Sequence, residues 1–304
     1  MSNVLTMIAG GGGPPLDDTM AETAREALVA AGAEARAPDW LAPGTACDIA
    51  FSGLPPEAAR VAVARGLGDA PVDLFAQPRA GRRKRLLVAD MESTVIANEF
   101  VDELAEAAGI GDAVAAITRR AVAGEIEFAT ALRERVALLE GLSTELFDRV
   151  YAKLAVTPGA AALVRTMRAN GAYAALVSGG FDVFTSRVRE LLGFDVEFAN
   201  RLATAGGRLT GRLDGPILDR AAKRSHLERL AAERAIPIAE TLAIGDGAND
   251  IDMLSAAGLG VAYRAKPAAA AVARARIAHG DLTAPLYLQG YRADEILGAD
   301  DSRA

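Results

Sequence analysis

The sequence is short of the residues that build most metal and redox sites. Among its 304 residues there is one cysteine, Cys47, and there are two histidines, His226 and His279. A lone cysteine excludes an intramolecular disulfide and a thiolate-rich zinc site. So few histidines argue against a histidine-based metal cluster or a two-histidine phosphatase mechanism. There is no basic excess either: the formal net charge is −7, which leaves no overall footprint for nucleic acid. No apolar run reaches the roughly 20 residues that span a bilayer. The N-terminus lacks the basic stretch and long apolar core of a secretory signal. The expected setting is therefore the cytoplasm, with neither nucleic acid nor membrane as a partner. What the chain does have is alanine, leucine and valine with few aromatics. That composition suits helices packed on a buried sheet, in a chain long enough for two or three domains.

Residues 1–80 read as a small α+β unit. Strands are expected at 4–9, 33–37, 47–52 and 72–76, and helices at 17–31 and 55–66. That βαββαβ order is ferredoxin-like. The glycine run at 10–13 reads as a flexible turn. The basic run Arg82-Arg83-Lys84-Arg85 reads as a solvated linker rather than an anion patch. A strand follows at 86–89. From 101 to about 155 the apolar spacing is continuously helical, which predicts an insertion of several helices. Beyond Thr157-Pro158-Gly159 the pattern alternates. Strands are expected at 172–177, 196–199, 241–244 and 259–263, with an edge strand or hairpin arm at 208–213. Helices are expected at 160–170, 181–192, 221–235, 250–257 and 267–275. Such alternation implies an α/β fold with a mainly parallel sheet covered on both faces. The acidic tail 294–304 reads as frayed.

Three of these strands end in polar residues, and an open α/β sheet puts its ligands at the carboxyl ends of its strands. Leu86-Leu87-Val88-Ala89 runs into Asp90-Met91-Glu92-Ser93-Thr94. Two carboxylates two positions apart call for a cation or a proton, so Asp90 and Glu92 are candidates for metal binding and acid–base chemistry. Alone, the segment also reads as an acidic loop capping the next helix through Ser93 or Thr94. Ala174-Ala175-Leu176-Val177 opens into Ser178-Gly179-Gly180, expected as a turn. It offers a hydroxyl and backbone N–H groups at a helix start, which suits phosphate. Leu242-Ala243-Ile244 opens into Gly245-Asp246-Gly247-Ala248-Asn249-Asp250, with two more carboxylates and an amide. Lys223, at a helix start upstream, can supply a fixed positive charge. With cysteine and histidine scarce, carboxylates must carry any metal, which points to a hard cation such as Mg²⁺.

With these elements all present and in this order, the chain resembles the haloacid dehalogenase-like phosphatases. Within them it is similar to the phosphoserine phosphatases. The closer likeness rests on Asn98-Glu99, Gly124-Glu125-Ile126-Glu127-Phe128, Leu132-Arg133-Glu134-Arg135-Val136, Ala199-Asn200-Arg201-Leu202 and Ala265-Lys266-Pro267. It covers about residues 86–288, and residues 1–80 resemble only loosely an ACT-like domain. The resemblance implies a Rossmann-like core (86–97 and 156–292), a helical cap (98–155) and an ACT-like unit (1–80). It implies Asp90 as nucleophile, forming an aspartyl-phosphate. Glu92 would protonate the leaving serine oxygen and then activate water. Mg²⁺ would be held by Asp90, Asp246 and the Glu92 backbone carbonyl, with Asp250 in an outer or water-mediated place. Lys223, Ser178 and Gly179 would hold the phosphoryl oxygens, and Asn249 would lie near the phosphate or substrate. Glu99 would take the substrate ammonium and Arg135 its carboxylate. Without the resemblance, Glu99 reads as a helix-start acid and Arg135 as an exposed helical arginine. Arg133 should point to another face. Phe128 and Val122 would line the cap, which reads as a lid.

The implied function is Mg²⁺-dependent hydrolysis of O-phospho-L-serine, the last step of serine biosynthesis. The alternatives are a phosphatase or phosphotransferase for another small phosphorylated amino acid such as phosphohomoserine, or an amino-acid sensor with a vestigial phosphatase core. The implied partner is a small molecule, and a homodimer is compatible with the sequence. One residue departs from the family pattern: Glu92 stands where aspartate is usual. The added methylene displaces the carboxylate by roughly 1.5 Å unless the surroundings adjust. Either Glu92 serves as acid and base after a local rearrangement, or the chain is an impaired phosphatase.

Overall fold

The computed structural model describes residues 1–298 apart from the side chain of Val122. Its first sheet is antiparallel. The elements there are β1 (Asn3–Ala9), α1 (Asp18–Ala30), β2 (Glu34–Ala35), β3 (Asp39–Ala42), β4 (Ala46–Ser52), α2 (Pro56–Leu67) and β5 (Val72–Pro78). The order β2-β4-β1-β5 is ferredoxin-like, and β3 is an additional arm on β4. Asp17 starts α1 by accepting the Met20 N–H, and Pro56 occupies the first turn of α2, where its missing N–H is not needed. The strands alternate by face. Leu5, Met7, Ile49 and Phe51 form one core, whereas Ile8 joins the core of the larger sheet.

The second sheet is built from the rest of the chain. β6 (Leu86–Ala89) is followed by four helices, α3 (Phe100–Ala107), α4 (Gly111–Val122), α5 (Phe128–Ala137) and α6 (Leu146–Tyr151). Then come α7 (Ala160–Ala169), β7 (Tyr173–Phe181), α8 (Asp182–Leu192), β8 (Val196–Ala205), β9 (Arg208–Asp214) and α9 (Arg220–Glu233). The chain continues through β10 (Thr241–Gly245), α10 (Ile251–Ala256), β11 (Leu259–Tyr263), α11 (Pro267–Val272), β12 (Ala275–Ile277) and α12 (Ala284–Leu288). The order is β12-β11-β10-β6-β7-β8-β9, parallel except for the β8–β9 hairpin. The apolar strands serve both faces. Leu87 and Ala89 of β6 join one core, and Leu86 and Val88 join the other. This is the pattern of a sheet covered on both sides. The helical segment rests on α8 through aromatic contacts: Phe100 stacks on Phe184 at 3.9 Å between centroids, and Phe147 meets Phe184 edge-on at 5.7 Å.

Several expectations need correction. Ser178-Gly179-Gly180 is not a turn but a bulged continuation of β7. β8 runs six residues beyond the expected end, because β9 folds back and pairs with it. The stretch 208–213 is the hairpin arm, as expected, and it lies against the helical segment 100–151: the Leu209 carbonyl accepts the Gly141 N–H at 2.9 Å. The short strands β3 and β12 carry too few residues to show an alternation. The basic run is solvated only in part: Arg83 and Arg85 are exposed, whereas Arg82 and Lys84 are not. Arg82 pairs with Asp48 at 2.6 Å, and Arg83 pairs with Glu295 and lies over the Tyr291 ring. Lys84 is buried and donates to the carbonyls of Gly81 and Ala239, and Arg85 pairs with Glu240. The tail is docked as far as described, since Ile296 is buried and the Leu297 N–H donates to Thr166 Oγ1. Residues 299–304 lie outside the described part. No helix among the described residues is long and apolar enough to cross a membrane.

Candidate active site

β6, β7 and β10 lie side by side with Ala89 opposite both Leu176 and Ile244. The chain therefore leaves all three strands at one level, and Asp90, Ser178 and Asp246 emerge together. The Asp90 N–H donates to the Ile244 carbonyl at 2.9 Å, and its Oδ1 accepts the Met91 N–H at 2.8 Å. Lys223 arrives from the first turn of α9, whose start is fixed by Asp219 accepting the Ala222 N–H. Its ammonium, fully buried, lies 2.6 Å from Asp90 Oδ1 and 2.6 Å from Asp250 Oδ1. The other Asp250 oxygen accepts the Gly247 N–H at 3.0 Å. Gly245 must be glycine here, since a Cβ would stand 2.4 Å from the Asp250 carboxyl carbon. Lys266 reaches Asp246 from the rim at 3.5 Å.

Asp90, Asp246 and Asp250 offer oxygens that all lie within 4.8 Å of one another. Three buried carboxylates thus share one buried ammonium. Burial first, then the Asp250 charge, pushes Asp90 well above the usual carboxylate range. Burial pushes Asp246 up to about 6. Burial would lower Lys223, but Asp250 and Asp90 outweigh it and hold the ammonium charged. The deficit of positive charge and the all-oxygen donor set fit a hard divalent cation.

Residues 91–95 form one wide turn, closed by the Ile96 N–H on the Met91 carbonyl, with Ser93 in the left-handed region at φ 53°. Glu92 Oε1 accepts the Phe100 N–H at 2.8 Å, at the start of α3. A Cβ at Gly180 would come within 2.8 Å of Glu92 Oε2. The longer side chain is accommodated by the hydrogen bond from the start of α3 and by the missing side chain at 180. Burial, then the neighbouring Glu99, push Glu92 up to about 8. Ser93 Oγ donates to Glu99 Oε1 at 2.7 Å. Arg135 is close enough to lower Glu92 through its charge, whereas Arg133 is exposed on another side of α5.

Ser178 is fully buried and its Oγ accepts the Gly180 N–H at 2.9 Å. Its own hydroxyl hydrogen is left to donate. Phe128 lies over Gly179, 3.2 Å from where a Cβ would stand. Asn249 is half-buried with Oδ1 against Gly247. The side chain of Val122 is outside the described part. Asn98 and Asn200, which the family likeness names without a role, make structural bonds around the site. Besides the nearby Glu103 carboxylate on Asn98, their partners are backbone atoms that only the fold brings near: Lys153 and Ala155 for Asn98, Gly179 and Leu218 for Asn200.

The model of the haloacid dehalogenase-like hydrolase family matches residues 87–255. The chain is 44% identical over 261 residues to the phosphoserine phosphatase of Streptomyces coelicolor, covering 85% of this chain and 63% of that protein. It thus spans less than two thirds of that relative's length. A probable phosphoserine phosphatase from Vibrio cholerae, in unliganded form, superposes with a TM-score of 0.78 at 29% identity, over 97% of this chain and 88% of the other. A phospho-aspartyl intermediate analogue of phosphoserine phosphatase superposes with a TM-score of 0.63 at 39% identity, over 67% of this chain and 98% of the other.

Proposed function

The chain belongs to the haloacid dehalogenase-like hydrolases and, among them, to the phosphoserine phosphatases; from that premise we propose that it hydrolyses O-phospho-L-serine to L-serine and phosphate through an aspartyl-phosphate on Asp90, as the last step of serine biosynthesis. The observation that carries this reading is the buried Asp90–Lys223 pair at the end of β6, with Asp246 and Asp250 beside it.

Oδ1 of Asp90 is held by Lys223 and the Met91 N–H, so Oδ2 is assigned to attack phosphorus. The Asp90–phosphorus bond forms as the bond to the serine oxygen breaks, and Glu92 gives that oxygen its proton. Water then loses a proton to Glu92 and attacks phosphorus, which releases phosphate and restores Asp90. Lys223, the Ser178 hydroxyl and the Gly179 N–H hold the phosphoryl oxygens while charge redistributes. Mg²⁺, bound by Asp90, Asp246 and the Glu92 backbone carbonyl with Asp250 behind, would offset the repulsion between nucleophile and phosphate. Glu99 takes the substrate ammonium, Arg135 its carboxylate, and Asn249 lies beside the phosphate. The cap residues around Phe128 exclude water.

Phosphate release from phosphoserine, phosphothreonine and phosphohomoserine, each with Mg²⁺ and with a chelator, tests this. Phosphoserine should be the preferred substrate, and chelation should abolish turnover. Preference for phosphohomoserine would move the assignment to that substrate. No release from any of the three would favour a sensor with a vestigial core.

A further inference from the structure

Asn200 lies in β8 with 2% of its surface exposed, and both ends of its amide are engaged. Nδ2 donates to the Gly179 carbonyl at 2.8 Å, and Oδ1 accepts the Leu218 N–H at 2.7 Å. These two backbone groups belong to different parts of the site. Gly179 stands in the bulge of β7: the register runs from Val177 opposite Phe198 to Phe181 opposite Asn200. Three residues of β7 therefore face one of β8, and the regular ladder is broken. The Asn200 side chain supplies the bond that the Gly179 carbonyl takes instead. The N–H of the same peptide, that of Gly180, is held by Ser178 Oγ. Both polar ends of the Gly179–Gly180 peptide are fixed, and it cannot rotate without breaking two bonds.

The other partner, Leu218, is itself buried and immediately precedes Asp219, the residue that caps α9. Lys223 follows within the first turn of that helix. A single buried amide thus bridges the bulge at Gly179 and the approach to the Lys223 ammonium.

We propose that Asn200 is a positioning residue for phosphoryl transfer, fixing the Gly179 peptide and the start of α9 relative to each other so that the donors at 178–179 and the Lys223 ammonium converge on one phosphoryl group. This rests on reading the site as a phosphatase. Asn200 touches no reacting atom and acts through Gly179 and Leu218.

The test compares wild type with Asn200→Ala and Asn200→Asp. The second variant is isosteric. It can still accept from Leu218 but presents an oxygen, not a donor, to the Gly179 carbonyl. Two quantities are measured: phosphoserine kinetics, and calorimetric binding of inorganic phosphate in Mg²⁺. Misplacing a reacting group by about 1 Å costs on the order of 10²-fold. Both variants should lose tenfold or more in kcat and bind phosphate at least fivefold more weakly. The Mg²⁺ concentration for half-maximal thermal stabilisation, set by carboxylates on other strands, should stay within twofold of wild type. Variants with wild-type kcat and phosphate affinity, whatever their melting temperature, would overturn the proposal. If Asn200→Ala does not fold, Asn200→Asp decides alone. If wild type proves inactive on phosphoserine, the phosphatase reading fails separately. Phosphate binding then still decides the role of Asn200.

Discussion

Glu92 is one methylene longer than the residue its family usually has, and the surroundings show where the extra length goes. Its carboxylate lies between the Phe100 N–H and the open side of Gly180. Gly180→Ala would drive a methyl group into that carboxylate, and phosphoserine turnover should fall on the order of 10²-fold with the fold intact by circular dichroism. Glu92→Gln should cost 10²-fold or more if Glu92 is the acid and base. Unchanged turnover would remove it from that role, and a hundredfold gain in Glu92→Asp would mark the natural chain as impaired. The carboxylates also make a prediction for stability. The folded value for Asp246, about 6, lies above its ordinary 3.8. Its contribution is present at low pH and is lost as pH rises from about 4 through about 6. Thermal melts in chelator should therefore show Asp246→Asn gaining on wild type between pH 4 and pH 7. An unchanged gap would contradict the deficit of positive charge assigned to this cluster. Asp90 and Asp246 were legible in the sequence because strand ends locate them, and Lys223 because it stands at a helix start upstream of the third strand. The Phe100 N–H and the Asn200 bonds were not, because their partners are remote in sequence.

At the scale of elements, the apolar runs that became β6, β7 and β10 could be read because both faces of those strands are buried. The end of β7 could not. Glycines after a strand signal a turn, yet here they extend the strand into a bulge held by Ser178 and Asn200. The helices α3–α6 leave and rejoin the sheet through two adjacent stretches, near 97 and 155, and Asn98 joins them. It accepts the Ala155 N–H at 2.7 Å and donates to the Lys153 carbonyl and to Glu103. The Ala97 N–H adds a bond to the Ala155 carbonyl. Asn98→Ala removes part-buried hydrogen bonds to the backbone of Lys153 and Ala155, each worth about 0.5–1.5 kcal/mol. Amide hydrogen exchange should quicken across α3–α6 and stay unchanged in β10 and α9. Equal exchange throughout would mean that these helices are held elsewhere.

For the whole molecule, the N-terminal sheet is fastened to the rest by buried polar contacts that its sequence did not suggest. Asp48, which accepts from Thr6 Oγ1 within the sheet, pairs with Arg82 outside it at 2.6 Å. Asp73 accepts the N–H groups of Ala278, His279 and Gly280, and Gln77 donates to the Leu288 carbonyl. Four consecutive basic residues look like a solvated linker because charge runs usually are, and only the tertiary fold supplies their partners. Asp48→Ala would strand the Arg82 charge, at a cost of about 3–5 kcal/mol. Denaturant unfolding of wild type should be a single transition, and this variant should either shift it or split it in two. An unaltered midpoint would show that the contact contributes nothing. The central claim concerns Asp90. The direct measurement is acid-quenched peptide mass spectrometry after incubation with phosphoserine and Mg²⁺, paired with phosphate release by Asp90→Asn. The account predicts a phosphoryl group on Asp90 in wild type and no phosphate release by the variant. A phosphoryl group on another residue, or turnover that survives in Asp90→Asn, would contradict it.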